Sequence, residues 1–203
     1  MAKLNVAVFA SGSGSNFQAL ADGARDGRLD ADIRLLVCDK PNARVAERAR
    51  EAGVETFVFS PKDYPSREAY ETEILAKLRE RQVELVVLAG YMRILTPVLV
   101  EAYAGRMINV HPSLLPAFPG LHAIRQALEH GVKVTGPTVH YVDGGLDTGP
   151  IIAQEAIAID EQDTEATLAA RIHPIEHKLL TRVVQWIAEG KVRIDGRRVS
   201  ISE

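Results

Sequence analysis

The chain has 203 residues, 46% of them hydrophobic and 25% charged, with a formal net charge of −3. This balance suits one well-buried globular domain and excludes an intrinsically disordered chain, and the interspersed charges exclude a broad basic face for a nucleic-acid backbone. A single cysteine, Cys38, excludes a disulfide within the chain, no apolar run approaches the roughly 18 residues of a membrane span, and the N-terminus lacks a signal-peptide pattern, so a cytoplasmic protein is expected.

In chain order, short apolar runs alternate with helical patterns, the sign of right-handed βαβ crossovers and a largely parallel sheet. "LNVAVFA" (residues 4–10), "IRLLVC", "ETFVF" and "ELVVLAG" read as strands. Between them, "NFQALADGARDG", "ARVAERAREAG" and "SREAYETEILAKLRERQ" have helical spacing, with Ser66 or the residue before it as a cap. "LTPVLVEAYAG" reads as a helix capped by Thr96, with Pro97 at the first helical position, where its missing N–H does no harm. Past Gly105 the pattern changes. "RMINV" is a further buried strand and "LHAIRQALEHG" a short helix; "TGPTVHYV" and "PIIAQEAIAI" are two β segments joined by "DGGLDTG". Residues 163–189 are helical in pattern, but Pro174 removes a backbone donor there, so a kink or a fresh helix start is expected. The tail "KVRIDGRRVSI" centres two alternating runs on Asp195 and Gly196, a terminal β-hairpin.

Three motifs carry candidate chemistry. "ASGSGSN" (residues 10–16) follows the first strand and opens the first helix. Gly12 and Gly14 allow close approach of backbone N–H groups, Ser13 and Ser15 add hydroxyls, and the helix start is partly positive, which suits a phosphate monoester. The alternative is a merely tight strand-to-helix turn. Phe17 stands where a dinucleotide fingerprint needs its third glycine. Asn109 and His111, two residues apart on a strand, point the same way and can converge on one group at the ligand-binding edge of the sheet. With Asp147 of "GGLDTGP" brought near to orient His111 and favour its protonated form, the trio would suit stabilisation of an oxyanion in acyl transfer; the alternative is a His111 hydrogen-bonded before Pro112 as part of the loop architecture. "HPIEH" (residues 173–177) matches a zinc-peptidase pattern, but Pro174 is expected to take His173 out of register with His177, so no metal is expected. Glu176 there is either a solvated or a cleft-facing carboxylate. Arg93 in "GYMRIL" could face the ligand edge, and His140 in "TVHYV" reads as a structural or supporting histidine.

Taken together, "SGSGSN", "VLAGYMRIL", "NVHPSLLPAFPG" and "VTGPTVHYVDGGLDTGPII", in this order, closely resemble the folate-dependent phosphoribosylglycinamide formyltransferases. The resemblance runs through nearly the whole chain. It implies one formyltransferase domain over residues 1–203, of the α/β class: a Rossmann-like, mostly parallel twisted sheet flanked by helices, with a mixed C-terminal part. A phosphate-binding half would span about residues 1–105, and a catalytic and folate-binding half about 106–203. It implies that Asn109, His111 and Asp147 are the catalytic trio, Asn109 also meeting the folate, and that Gly14, Ser15 and Asn16 cradle the substrate phosphate. Met92, Arg93, Ile94 and Leu95 would form the wall that receives the pteridine, Arg67 would contact the folate and Glu176 the glycinamide. Ala117 and His173 stand where some relatives carry Lys and Gln.

The implied reaction moves the formyl group of 10-formyltetrahydrofolate, a co-substrate, to the amine of phosphoribosylglycinamide in purine synthesis, without a covalent enzyme intermediate. The expected partners are small molecules only, with no metal, nucleic acid or membrane, in a monomer or homodimer. The "HPSLLP" signature also occurs in formyltransferases acting on methionyl-tRNA or nucleotide sugars, so formyl transfer to another amine is the enzymatic rival. A non-catalytic nucleotide or folate sensor is the rival from another class.

Overall fold

The computed structural model describes residues 3–202, and the chain divides into two compact units, Met1–Asn109 and Val110–Glu203. In the first unit the apolar runs form β1 (Leu4–Phe9), β2 (Ala31–Cys38), β3 (Thr56–Val58), β4 (Leu85–Leu88) and β5 (Met107–His111), the last running two residues past the boundary. They pair in the order β3-β2-β1-β4-β5, every pair parallel. Parallel strands are covered on both faces, which is why their sequences are continuous β-branched and aliphatic runs and why all four residues of β4 are buried.

The helices are α1 (Ser15–Arg25), α2 (Arg44–Glu51), α3 (Arg67–Glu80) and α4 (Pro97–Ala102), and a 3₁₀ turn at Pro61–Asp63 precedes α3. Ser66 caps α3 by accepting the Ala69 N–H at 3.2 Å, and Thr96 caps α4 by accepting that of Val98 at 3.3 Å. The chain winds from β1 outward to β2 and β3, then returns to β4 on β1's other side. With right-handed crossovers this reversal sends α1 and α2 to one face and α3 to the other, and opens a switch point between the ends of β1 and β4.

The second unit begins with the end of β5 and continues with α5 (Ala123–Glu129), β6 (Val134–Thr135), β7 (Thr138–Tyr141), β8 (Ile151–Gln154), β9 (Ile157–Ala158) and α6 (Glu165–Ala188). The hairpin β10 (Val192–Asp195) and β11 (Arg198–Ile201) follows, joined by a two-residue loop whose Gly196 takes φ 57°. Helix α6 packs on α5, β7 and β8, and β11 lies against β8. The two expected β segments each break in two: β7 pairs antiparallel with β8, while β6 and β9 form a separate ribbon. Gly136 and Pro137 cause the break. A Cβ at Gly136 would overlap the Glu155 carbonyl, and proline has no N–H for a ladder.

The expected fresh start at Pro174 is overturned, because α6 is one 24-residue helix with Pro174 inside it. Pro174 and Ala170, whose carbonyl loses its helical donor, are both exposed, so water can satisfy that carbonyl. The stripe Leu168, Ile172, Leu179, Leu180, Val183 and Val184 meanwhile stays buried on both sides of Pro174, so packing carries the helix through the proline.

Candidate active site

Gly14 is the N-cap residue of α1, with φ 77°, and a Cβ there would lie 2.5 Å from Val45 Cγ2, so only glycine fits. The Gly12 carbonyl accepts the Val45 N–H at 3.1 Å and the Ser13 carbonyl accepts Arg48 Nε at 2.8 Å. The loop is thus fastened through its carbonyls, and the N–H groups in the first turn of an α-helix point out of its end, where no carbonyl of the preceding turn exists to receive them. No acidic residue stands in the first turn, leaving the positive end of the helix open to an anion.

The loop after β4 carries Met92 and Ile94, exposed at 58% and 69%, an unusual pair of apolar side chains to offer solvent. Two buried carboxylates hold it. Glu71, wholly buried, accepts from the Thr96 N–H at 2.9 and 3.1 Å and from Thr96 Oγ1 at 2.5 Å. Burial raises the Glu71 pKa, and the bonds from Thr96 oppose that rise. Asp39, with a side chain 0% exposed, accepts from Arg93 Nε at 2.7 Å. Arg93, expected at the ligand edge, is therefore engaged in an ion pair behind the loop, although its side chain stays 41% exposed. Arg67, the first residue of α3, places Nη1 3.5 Å from the Ile94 carbonyl.

The end of β5 leads into the second cluster. Register aligns Phe9 with Leu88 and Leu88 with Asn109, so Asn109 stands at the C-terminal edge of the parallel strands. Two residues on, His111 is 5% exposed, with Nδ1 3.5 Å from Asp147 Oδ2 and Nε2 2.8 Å from the Phe118 carbonyl. Asp147 Oδ1 lies 3.6 Å from His140 Nε2, and its Oδ2 accepts the Gly120 N–H at 2.7 Å. Burial works to raise the Asp147 pKa, but His140, the Gly120 N–H and His111 outweigh it and hold the carboxyl below its ordinary value. Burial holds His111 low in turn, ahead of the upward pull from Phe118 and Asp147. Burial thus opposes the protonated imidazole that Asp147's proximity favours.

The backbone around this cluster is strained. Asp147 takes φ 52° and Phe118 φ 53°, left-handed values that a bulky residue adopts only when its surroundings impose them. The imposing frame is Thr138 of β7, whose Oγ1 donates to the Ser113 carbonyl at 2.6 Å and accepts the Leu115 N–H at 3.1 Å, and Gln154 of β8, which donates to the Leu115 carbonyl at 2.9 Å. A bulge between Val139 and His140 turns His140 toward Asp147. His140 is thus a partner of Asp147, a more direct role than its sequence context conveys.

Glu176 lies on the buried stripe of α6 at 6% exposure, which overturns its reading as a solvated carboxylate. His173 and His177 do lie one turn apart on a continuous helix, so the geometric ground for discounting "HPIEH" fails. Among the described residues, however, no three His, Cys, Asp or Glu side chains gather where they could hold a metal ion. Sequence reading missed Ser11, Asp39 and Glu71 as structural partners of these loops. Only the place of Asp39, directly after β2 at the ligand-binding edge, could have signalled it.

Comparison with known proteins bears on the same elements. The formyl transferase family matches residues 4–184. The phosphoribosylglycinamide formyltransferase of Bacillus subtilis (strain 168) is 55% identical over 181 residues, covering 89% of this chain and 93% of that protein. That of Escherichia coli (strain K12) is 40% identical over 203 residues, covering 97% and 96%. The crystal structure of glycinamide ribonucleotide transformylase 1 from Symbiobacterium toebii superposes with a TM-score of 0.97 at 46% identity, over 99% of this chain and 95% of that one. With a match that takes in both loop systems and the strand between them, the chain belongs to the formyl transferase family.

Proposed function

We propose that this chain transfers the formyl group of 10-formyltetrahydrofolate to the amine of 5'-phosphoribosylglycinamide in de novo purine biosynthesis. The observation that carries the reading is the buried His111–Asp147 pair two residues beyond Asn109, in a chain 55% identical to a phosphoribosylglycinamide formyltransferase. The amine is itself the nucleophile, so no covalent enzyme intermediate and no metal are required. Cys38 is buried and its thiol is pushed up by that burial, which removes the thiolate a covalent route would use.

As the amine attacks, the formyl oxygen gains negative charge. The Asn109 amide donates to it, and His111 binds a proton more strongly as that charge develops, because the oxyanion adds negative charge beside an imidazole whose protonated form burial disfavours. Stabilisation is thereby greater in the transition state than in the ground state. Asp147, ionised and held by Gly120 and His140, orients His111 and helps carry the proton from the amine to the leaving nitrogen.

Gly14, Ser15 and Asn16 receive the ribonucleotide phosphate, supported by the acid-free helix start and the left-handed Gly14. Met92, Ile94 and Leu95 receive the pteridine, and Arg67, beside the Ile94 carbonyl, supplies a cation for the folate tail. Arg93 holds this wall in place, and Glu176 contacts the glycinamide portion. One formyltransferase domain accounts for the whole chain, working in the cytoplasm on small molecules.

The test is absorbance-monitored consumption of formylfolate with glycinamide ribonucleotide, with an amino-sugar nucleotide, and with no amine. Consumption is expected only with the ribonucleotide. No consumption with any amine would favour a sensor, and an equal rate without amine would replace transfer by hydrolysis.

A further inference from the structure

The two loops assigned to the two substrates leave adjacent strand ends at the switch point, residues 10–14 after β1 and residues 89–96 after β4. They are joined through one carboxylate. Asp39 Oδ1 accepts from Ser11 Oγ at 2.5 Å, in the loop before α1, and Asp39 Oδ2 accepts from Arg93 Nε at 2.7 Å, in the loop after β4. Ser11 closes the circuit, since its Oγ accepts the Met92 N–H at 2.9 Å and its own N–H donates to the Gly90 carbonyl at 3.0 Å. Ser11 is 3% exposed and Asp39 2%.

A buried carboxylate cannot exchange these partners for water, so the two loops must shift together or leave a charge unsatisfied. The other end of the folate loop is anchored differently: Glu71 bonds Thr96, which lies away from the glycine loop in the chain. We infer that Asp39 is a positioning residue that couples the two substrate loops, so that filling the phosphate cradle strengthens binding on the Met92–Ile94 wall, and the reverse. This inference rests on the substrate assignment above.

The experiment measures, by titration calorimetry, the dissociation constant of unformylated tetrahydrofolate with and without saturating glycinamide ribonucleotide. In the unaltered chain the ribonucleotide is expected to tighten folate binding about fivefold or more, and linkage requires folate to tighten the ribonucleotide equally. In Asp39→Asn the amide oxygen can still accept from Ser11 but the nitrogen cannot accept from Arg93, so the ratio should fall to about one. Ser11→Ala, which leaves the Asp39–Arg93 pair in place, should lower the ratio likewise and decides the matter if the Asp39 variant does not fold. Glu71→Ala should weaken folate binding yet keep the ratio, which a merely structural role for Asp39 would not distinguish. A ratio of one in the unaltered chain, or ratios in both coupling variants within about twofold of it, would overturn the inference. Absence of binding by either ligand to the unaltered chain would instead overturn the substrate assignment, and the coupling with it.

Discussion

The two loop systems use buried charge in opposite ways. In the first unit the carboxylates of Asp39 and Glu71 are satisfied by hydrogen bonds from neighbouring loops and hold exposed apolar side chains in place. In the second unit the buried titratable groups are the ones proposed to react, flanked by left-handed backbone at Phe118 and Asp147 and sharing one carboxylate between two imidazoles. A binding surface needs its framework rigid and its contact groups plain. A reacting centre needs groups whose charge can change, and so stores strain and desolvation around them.

Substitution can separate the two regions. The largest effect is expected for His111→Ala, with kcat falling on the order of a hundredfold or more while KM changes little, as removal of a transition-state contact requires. Steady-state kinetics checks it, and near-normal turnover would move the chemistry elsewhere. Glu71→Ala should show the reverse division. It leaves the Thr96 donors unpaired and is expected to lower stability by about 2–3 kcal/mol in denaturant titration while raising KM for formylfolate more than it lowers kcat. For Gly14→Ala, a left-handed Cβ costs about 1–2 kcal/mol, before the Val45 contact is relieved, and ribonucleotide binding should weaken alongside. The smallest effect is electrostatic. Asp147 pulls the His111 pKa upward against burial, so Asp147→Asn should move the His111 ring titration to lower pH in a proton NMR series. A rise, or no movement, would show that the pair is not coupled.

Much of this was legible in the chain because it is local. The Ser66 and Thr96 caps, Pro97 at a helix start, the Gly196 turn and the continuous runs of β1, β2 and β4 each depend on residues a few positions apart. Asn109 and His111 share a face through strand geometry alone. Other features required partners far along the chain. Asp39 meets Ser11 28 positions away and Arg93 54 positions away, and neither spacing has a pattern that sequence can display. Pro174 misled for the same reason, since whether it breaks a helix depends on which face packing leaves exposed.

From its amino acids alone the chain determined an α/β order of elements, a glycine loop at the start of the first helix, and an amide and imidazole paired two residues apart. Those follow from backbone dihedral preference, side-chain period and hydrogen-bonding type, which act over a turn or a strand. Tertiary structure alone decided that Asp147 would lie beside both His111 and His140, that burial would disfavour the charged form of His111, and that Arg93 would face a buried carboxylate. Desolvation and charge pairing are set by what folding brings alongside, and they operate across space regardless of distance along the chain.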